Sequence, residues 1–148
     1  MDALKLLKED HDKVRSMLEK LDATTERAEK TRTEMLQTLK RELGVHETLE
    51  EELLYPALEE FARTKDIALE GYEEHHVVDQ IMAELEDTPV EDETWAAKLT
   101  VMKENLEHHI EEEETEMFPK ARKVMNAGEL ADLGDRMAAR RQELRTAS

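Results

Sequence analysis

The feature that most constrains the fold of this chain is an internal repeat. The segment HETLEEELLYP begins at His46, and HIEEEETEMFP begins at His109. Both segments open with a histidine, carry acids four and five residues later, and end in an aromatic residue followed by proline. The preceding segments, EDHDKVRSMLEKL (9–21) and EEHHVVDQIMAEL (73–85), also align, with His11 on His75. The chain therefore contains two copies of one design, each with two histidine-bearing segments.

Apolar residues recur at helical spacing in four long segments of the chain. Polar or Pro-containing breaks at 22–32, 63–66, 86–94 and 126–134 separate these segments. Aromatic residues are only 3% of the chain, and there are 4 Gly and 3 Pro, a composition that favours helices over strands. Long amphipathic helices with short connections predict an all-α, up-and-down four-helix bundle.

A shorter fifth segment, from about Leu130 to Leu144, mixes apolar residues with arginines. We expect it to form a short C-terminal helix that caps the bundle. Its basic face would either rest on the acidic body of the bundle or serve a dimer contact. The predicted organisation is a bundle domain at 1–126, followed by a capping helix and tail at 127–148.

The charge of the chain limits its partners. The formal net charge is -17, which disfavours binding to nucleic acid and to anionic membranes. No apolar run is long enough to cross a membrane, and the start of the chain has no segment typical of a signal peptide. Cysteine is absent, which excludes thiolate metal sites and disulfides. We therefore expect a cytoplasmic protein, either a monomer or a weak homodimer.

A histidine interrupts the apolar face of each of the four long segments, because it lies three, four or seven residues from apolar neighbours. The midpoints between successive histidines fall near residues 28, 60 and 92, in or beside the predicted breaks. In antiparallel helices this places all four imidazoles at one level, where Glu50 and Glu113 share their faces. The predicted metal ligands are His11, His46, Glu50, His75, His109 and Glu113.

A bound metal ion is the best explanation for a buried layer of four histidines and two glutamates. Buried carboxylates without a partner are costly, and a cation removes that cost. Imidazole and carboxylate together suit iron, manganese or zinc. A single inward histidine is more often a hydrogen-bonded core residue than a ligand, so the prediction depends on the four occurring together with two glutamates in a repeat.

Several nearby residues have less certain roles. His76 and His108 lie one position off the inward face, which favours a surface location. Glu47 could reach a metal, and Glu51 and Glu114 could replace a ligand or support an imidazole. The aromatic residues that precede proline in the two repeat segments, Tyr55 and Phe118, are expected to close one end of the core. Trp95 is expected to pack in the core.

On these histidine and HxxxEE motifs, the chain resembles the hemerythrin-like, or HHE cation-binding, family over about residues 1–125. The resemblance implies a non-haem di-iron centre with bridging carboxylates and an oxo or hydroxo bridge between the two iron ions, with the six ligands named above. Manganese or zinc are alternatives to iron. Oxygen-carrying members have a further histidine where this chain has Asp79, and an aspartate where it has Glu114. These differences argue against a reversible oxygen carrier.

The predicted function is to bind or react with small oxidants, O2, H2O2 or NO, at this centre. Peroxide turnover of the catalase type would make the protein an enzyme, a question that the sequence leaves open. The alternative is an iron or oxygen sensor, or an iron-buffering protein, without turnover. A metal-free structural bundle is the third reading. Asp79 could be a seventh ligand, or could hold His75 or a bound water by a hydrogen bond.

Overall fold

A computed structural model describes residues 1–147 and is helical over nearly all of them. The helices are α1 (Ala3–Asp22), α2 (Glu29–Leu49), α3 (Tyr55–Glu59), α4 (Ala62–Glu86), α5 (Glu93–Glu112), α6 (Phe118–Val124) and α7 (Ala127–Ala147). Two π-helical turns, π1 (Glu50–Leu54) and π2 (Glu113–Met117), join α2 to α3 and α5 to α6. No strand occurs within residues 1–147, so the all-α prediction is confirmed.

Four long rods form the bundle: α1, α2 with π1 and α3, α4, and α5 with π2 and α6. Rods that follow one another in the chain pack together, α1 against α2 and α4 against α5, and α5 also contacts α1. Side chains cap the starts of α1, α5 and α7. Asp2 accepts from Lys5 N at 2.9 Å, Asp92 from Thr94 N at 2.9 Å, and Asn126 from Glu129 N at 2.8 Å. The up-and-down bundle is the predicted one.

The histidine layer divides the core of the bundle into two apolar clusters. One cluster lies toward the start of α1 and includes Leu7, Leu54 and Phe118. The other lies toward the end of α1 and is built around Leu18 and Trp95. On every rod the histidine lies at the boundary between residues of the two clusters. The polar layer is therefore enclosed by apolar packing from above and below.

The fifth helix, α7, lies beside α1 and α2 and is longer than the predicted segment, with 21 residues. Its basic face rests on the acidic body, where Arg140 binds Glu52 at 3.1 Å and Arg141 binds Asp10 at 2.5 Å. Gly134 allows the close approach, because a side-chain carbon there would collide with the backbone of Met1 and Ala3.

None of the helices within residues 1–147 is both long and apolar enough to cross a membrane.

Candidate metal centre

The six predicted ligands lie together at the middle of the bundle. His11, His46, Glu50 and Glu113 offer ligand atoms that are all within 4.8 Å of one another, and Glu50, His75 and His109 form a second such group. Each of the six residues is at most 5% exposed. The structure therefore brings together, in a buried position, all the side chains that the sequence assigned to the site.

The two glutamates lie between two pairs of imidazoles. The rings of His11 and His46 have centroids 4.9 Å apart, as do those of His75 and His109. Glu50 Oε1 is 3.2 Å from His46 Nε2 and 3.0 Å from His75 Nε2, so it reaches one ring of each pair. In the same way, Glu113 Oε1 is 3.0 Å from His11 Nε2 and 3.3 Å from His109 Nε2. Every Nε2 atom thus faces a central carboxylate.

A carboxylate holds the other nitrogen of every imidazole. The Nδ1 atoms pair at 2.7–3.0 Å with acids that lie next to a predicted ligand in the sequence. The pairs are His11 with Glu114, His46 with Asp10, His75 with Glu51 and His109 with Glu74. Such pairing places the ring proton on Nδ1, directs the Nε2 lone pair inward and raises its basicity.

These contacts give a role to two of the acids whose function the sequence left open. Glu51 and Glu114 support imidazoles of other helices, and Asp10 and Glu74, which were not singled out, do the same. A signal for them was present, because each helix of the repeat places an acid directly before the histidine (Asp10, Glu74) or after the glutamate (Glu51, Glu114). The sequence could not show which imidazole each acid would meet, because that depends on packing between helices.

The π turns bring two aromatic residues toward the centre. The backbone N–H of Tyr55 donates to Glu50 O, and that of Phe118 donates to Glu113 O, so the hydrogen bond closes over five residues. In a regular α-helix, the side chain five positions after the glutamate would point away from the glutamate's face. In the wider π turn, that side chain lies near the same face. Phe118 accordingly stacks on His11, with ring centroids 5.8 Å apart and planes inclined by 3°.

The Tyr55 hydroxyl enters the cluster itself. It donates to Glu113 Oε2 at 2.7 Å and lies 3.3 Å from His75 Nε2, and the side chain is completely buried. Burial raises the pKa of this hydroxyl well above its usual range, and the charges of Glu50 and Glu113 raise it further. The sequence analysis gave Tyr55 only a packing role. The missed signal is the aromatic residue placed five positions after each central glutamate.

Other candidates lie outside the cluster. His76 is exposed, as expected. His108 is also exposed, with 72% of its side chain accessible, and forms an outer group with Glu74 and Glu112. Glu47 is buried close to His75, where burial raises the pKa of its carboxyl to about 8. Asp79 is exposed and faces Glu47.

The charges of the cluster require a cation or protons. Within residues 1–147, neither His46 Nε2 nor Glu50 Oε2 has a hydrogen-bond partner, and both atoms are buried. Burial alone would lower the pKa of His46, but the nearby charge of Glu50 raises it well above its usual range. Burial raises the pKa of Glu113, and repulsion from Glu50 raises it further. Imidazole nitrogens and carboxylate oxygens converge at the centre of the cluster, and this set of donors fits a transition-metal cation. Binding of the cation would displace the protons held by the histidines and glutamates.

A small inner cavity of about 10 Å³ adjoins the four imidazoles. Its remaining walls are Val14, Leu43, Glu47, Leu106 and Ile110. This volume is about what one water molecule needs. The cavity therefore has room for about one water-sized molecule beside the imidazoles and is too small for an organic substrate.

Comparison with known proteins agrees with this site. The sequence pattern of the Hemerythrin HHE cation binding domain matches residues 2–121. The uncharacterized protein Rv2633c of Mycobacterium tuberculosis is 39% identical over 105 residues, which are 70% of this chain and 63% of that protein. The uncharacterized protein Mb2666c of Mycobacterium bovis has the same identity and coverage. The matched region thus spans somewhat less than two thirds of the length of these relatives.

A solved structure matches the whole fold. It is the crystal structure of a Hemerythrin HHE cation binding domain-containing protein, the Rv2633c homolog from Mycobacterium kansasii. The TM-score is 0.86 and the sequence identity is 32%. The match covers 99% of this chain and 89% of the other, so it includes the region of α7 as well as the four rods.

Proposed function

Because the chain belongs to the hemerythrin HHE cation-binding domain family, we propose that its centre holds two iron ions and binds or reacts with small oxidants. The observation that carries this proposal is the position of Glu50 and Glu113 between two pairs of imidazoles. His11 and His46 would hold one ion, and His75 and His109 the other. Each glutamate offers oxygen to both sides, which favours two ions over one.

Iron is favoured over manganese or zinc by the carboxylates around the site. The two central glutamates and the four acids on the Nδ1 atoms make an electron-rich set of donors, which stabilises a higher oxidation state. Manganese and zinc are also compatible with imidazole and carboxylate donors. Two iron ions would together supply the two electrons that the reduction of H2O2 to water requires.

The residues of the chain control which molecule reaches the centre and where protons lie. The inner cavity restricts access to molecules close to the size of water, which favours small ligands such as O2, H2O2 or NO, and its walls Val14, Leu106 and Ile110 keep bulk water away. The Tyr55 hydroxyl oxygen lies 2.7 Å from Glu113 Oε2, to which it donates its proton in a hydrogen bond, beside the imidazoles of the second pair. Because this proton is retained up to high pH, Tyr55 can stabilise negative charge on a small ligand by donating a hydrogen bond.

An iron or oxygen sensor, or an iron buffer, is the second candidate function. The specific support for it is that the ligands come from all four rods of the bundle. Loss of the ions would leave a charged layer between the two apolar clusters, so metal content is linked to folding. In that case the protein would respond to metal or oxidant without turning over peroxide.

The charge and composition of the chain support proposals about its partners, location and oligomeric state. The net charge of -17 disfavours nucleic acid and anionic membranes as partners, and a thiol-free sequence fits a protein of the cytoplasm. Contacts of α7 with the acidic body occupy part of its basic face within the chain, which favours a monomer or a weak homodimer.

The test is a metal analysis combined with a matched pair of variants. We expect about two iron ions per chain and near-ultraviolet charge-transfer absorption. His75→Ala should lose metal, because its Nε2 faces Glu50, whereas His76→Ala on the exposed side should keep it. A metal-free preparation of unchanged stability would contradict the proposal. Steady release of O2 from H2O2 by the loaded protein, absent in His75→Ala, would favour turnover over the sensor or buffer.

A further inference from the structure

A groove of about 530 Å³ opens between α2 and α4 beside the centre, and five of its twelve lining residues are acids. Two of them have basic partners, since Glu86 binds Lys40 at 2.9 Å and Glu52 binds Arg140 at 3.1 Å. Glu47, Glu51 and Asp79 remain, and no lysine or arginine within residues 1–147 pairs with them. This part of the groove is therefore lined by acids without basic partners.

Glu47 is the deepest of these acids. It is only 8% exposed, and no lysine or arginine among the described residues forms an ion pair with it. Its polar neighbours are Asp79, Glu51 and the His75 imidazole. The carboxyl groups of Glu47 and Asp79 lie within hydrogen-bonding reach of each other. Glu47, Glu51 and His75 offer ligand atoms within 4.8 Å of one another, a spacing that suits one ion.

Glu47 also separates the groove from the inner cavity. Together with Leu43, it lines both the open groove and the cavity of about 10 Å³ beside the four imidazoles. A movement of the Glu47 side chain would therefore connect solvent to the centre without unfolding either helix. The location of Glu47 between the two spaces is a second observation, separate from the number of acids in the groove.

The opposite side of the centre is less suited to an approaching cation. There the outer carboxylates are neutralised, since Arg15 binds Glu114 at 3.1 Å and Arg141 binds Asp10 at 2.5 Å. Lys8 is a further positive charge, 3.9 Å from Glu114. Glu51, the acid that supports His75, has no such partner in the part of the chain that the structure describes. Electrostatic attraction thus favours the α2–α4 side.

We propose that divalent metal cations reach the centre through this groove, and that Glu47, with Glu51 and Asp79, forms a transient loading site. Oxygen ligands there replace part of the hydration shell of the ion before it passes inward to the imidazoles. No bond to carbon changes and no electron is transferred in this step. The inference rests on the proposed function, because it requires that the centre hold metal.

The experiment follows the uptake of Co2+ by the metal-depleted full chain in a stopped-flow spectrometer, with helicity confirmed by circular dichroism. The variants are Glu47→Gln and Asp79→Asn, singly and together. The control is Asp132→Asn, which removes the same charge from an exposed position on α7. We expect the double variant to load about tenfold more slowly and with weaker dependence on salt, while the final number of ions is unchanged.

A second measurement avoids the metal-depleted state. Release of metal from the loaded protein to excess chelator should also slow in Glu47→Gln, because release uses the same route. Wild-type rates of uptake and release in both groove variants would overturn the loading site. A reduced number of ions at equilibrium in Glu47→Gln would also overturn it, because Glu47 would then be a resident ligand. Failure of the wild type to take up metal would instead refute the proposed function.

Discussion

Replacing Gly71 with alanine tests how tightly the bundle confines Tyr55. Gly71 lies on α4, and a side-chain carbon there would stand 2.6 Å from Tyr55 Cζ and 2.8 Å from its hydroxyl oxygen. Relief of this overlap requires the Tyr55 ring to move until the separation reaches about 3.4 Å. The ring packs on Tyr72 and His75, with centroid distances of 5.1 and 5.4 Å, and has no exposed surface.

The magnitude follows from three contributions. Overpacking of a buried site costs about 1–3 kcal/mol. Displacement of the hydroxyl weakens its hydrogen bond to the Glu113 carboxylate, a type of bond that contributes about 1.5–3 kcal/mol. Alanine in a helix returns up to about 1 kcal/mol relative to glycine. The net effect of Gly71→Ala is therefore a destabilisation of about 2 kcal/mol, or a fall of roughly 4–8 °C in Tm for a chain of this size.

The matched control is Gly44→Ala on α2, where the added carbon meets no atom within 4 Å. It should raise stability by about 0.5–1 kcal/mol, because only the helix preference changes. Both variants would be measured by chemical denaturation and thermal unfolding at equal metal content. The near-ultraviolet spectrum of the loaded protein should change in Gly71→Ala and not in Gly44→Ala. Equal stabilisation by the two substitutions would refute the reasoning, since it would show that the Tyr55 ring moves freely.

Two further predictions concern the metal and the far end of the bundle. Removal of metal by a chelator should lower Tm. Ions that bind only the folded state, at a free concentration of 100 times their Kd, stabilise it by about 2.7 kcal/mol. An unchanged Tm would contradict a metal site in the core. Arg32→Ala should destabilise the chain by about 2–3 kcal/mol in denaturant titrations, with the exposed Arg41→Ala as control. The reason is that buried Arg32 lies 4.5 Å from the Trp95 ring centroid and donates to Thr24 and to Val90 O. A loss equal to that of the control would show that these contacts contribute little.

Much of the site could be predicted because it depends on a period that the sequence displays directly. The register of His11 with Leu4, Leu7 and Leu18 determined the face of α1, and equal distances from the turns determined the level. Tyr55 could not be placed in this way, because the π turn before it changes the period over only five residues. Arg32 was assigned to a break between helices, but α2 begins at Glu29 and buries it.

The supporting acids form a closed ring around the bundle, and this ring explains what the repeat contributes. Asp10 of α1 holds His46 of α2, and Glu51, which follows α2, holds the imidazole of α4. The second copy repeats the scheme, with Glu74 holding His109, and Glu114 returning to His11 on the first rod. Loss of one acid therefore disturbs a histidine on another rod and not on its own.

The ring is symmetric in its contacts but not in its charge. Arg141 and Arg15 neutralise Asp10 and Glu114, whereas Glu51 and Glu74 have no lysine or arginine partner among residues 1–147. No arginine or lysine thus offsets the acids that support His75 and His109, which favours those imidazoles as donors to a cation. The two halves of the candidate centre, although built from one repeated sequence, are consequently inequivalent in charge, and the difference arises from α1 and α7, where the arginines lie.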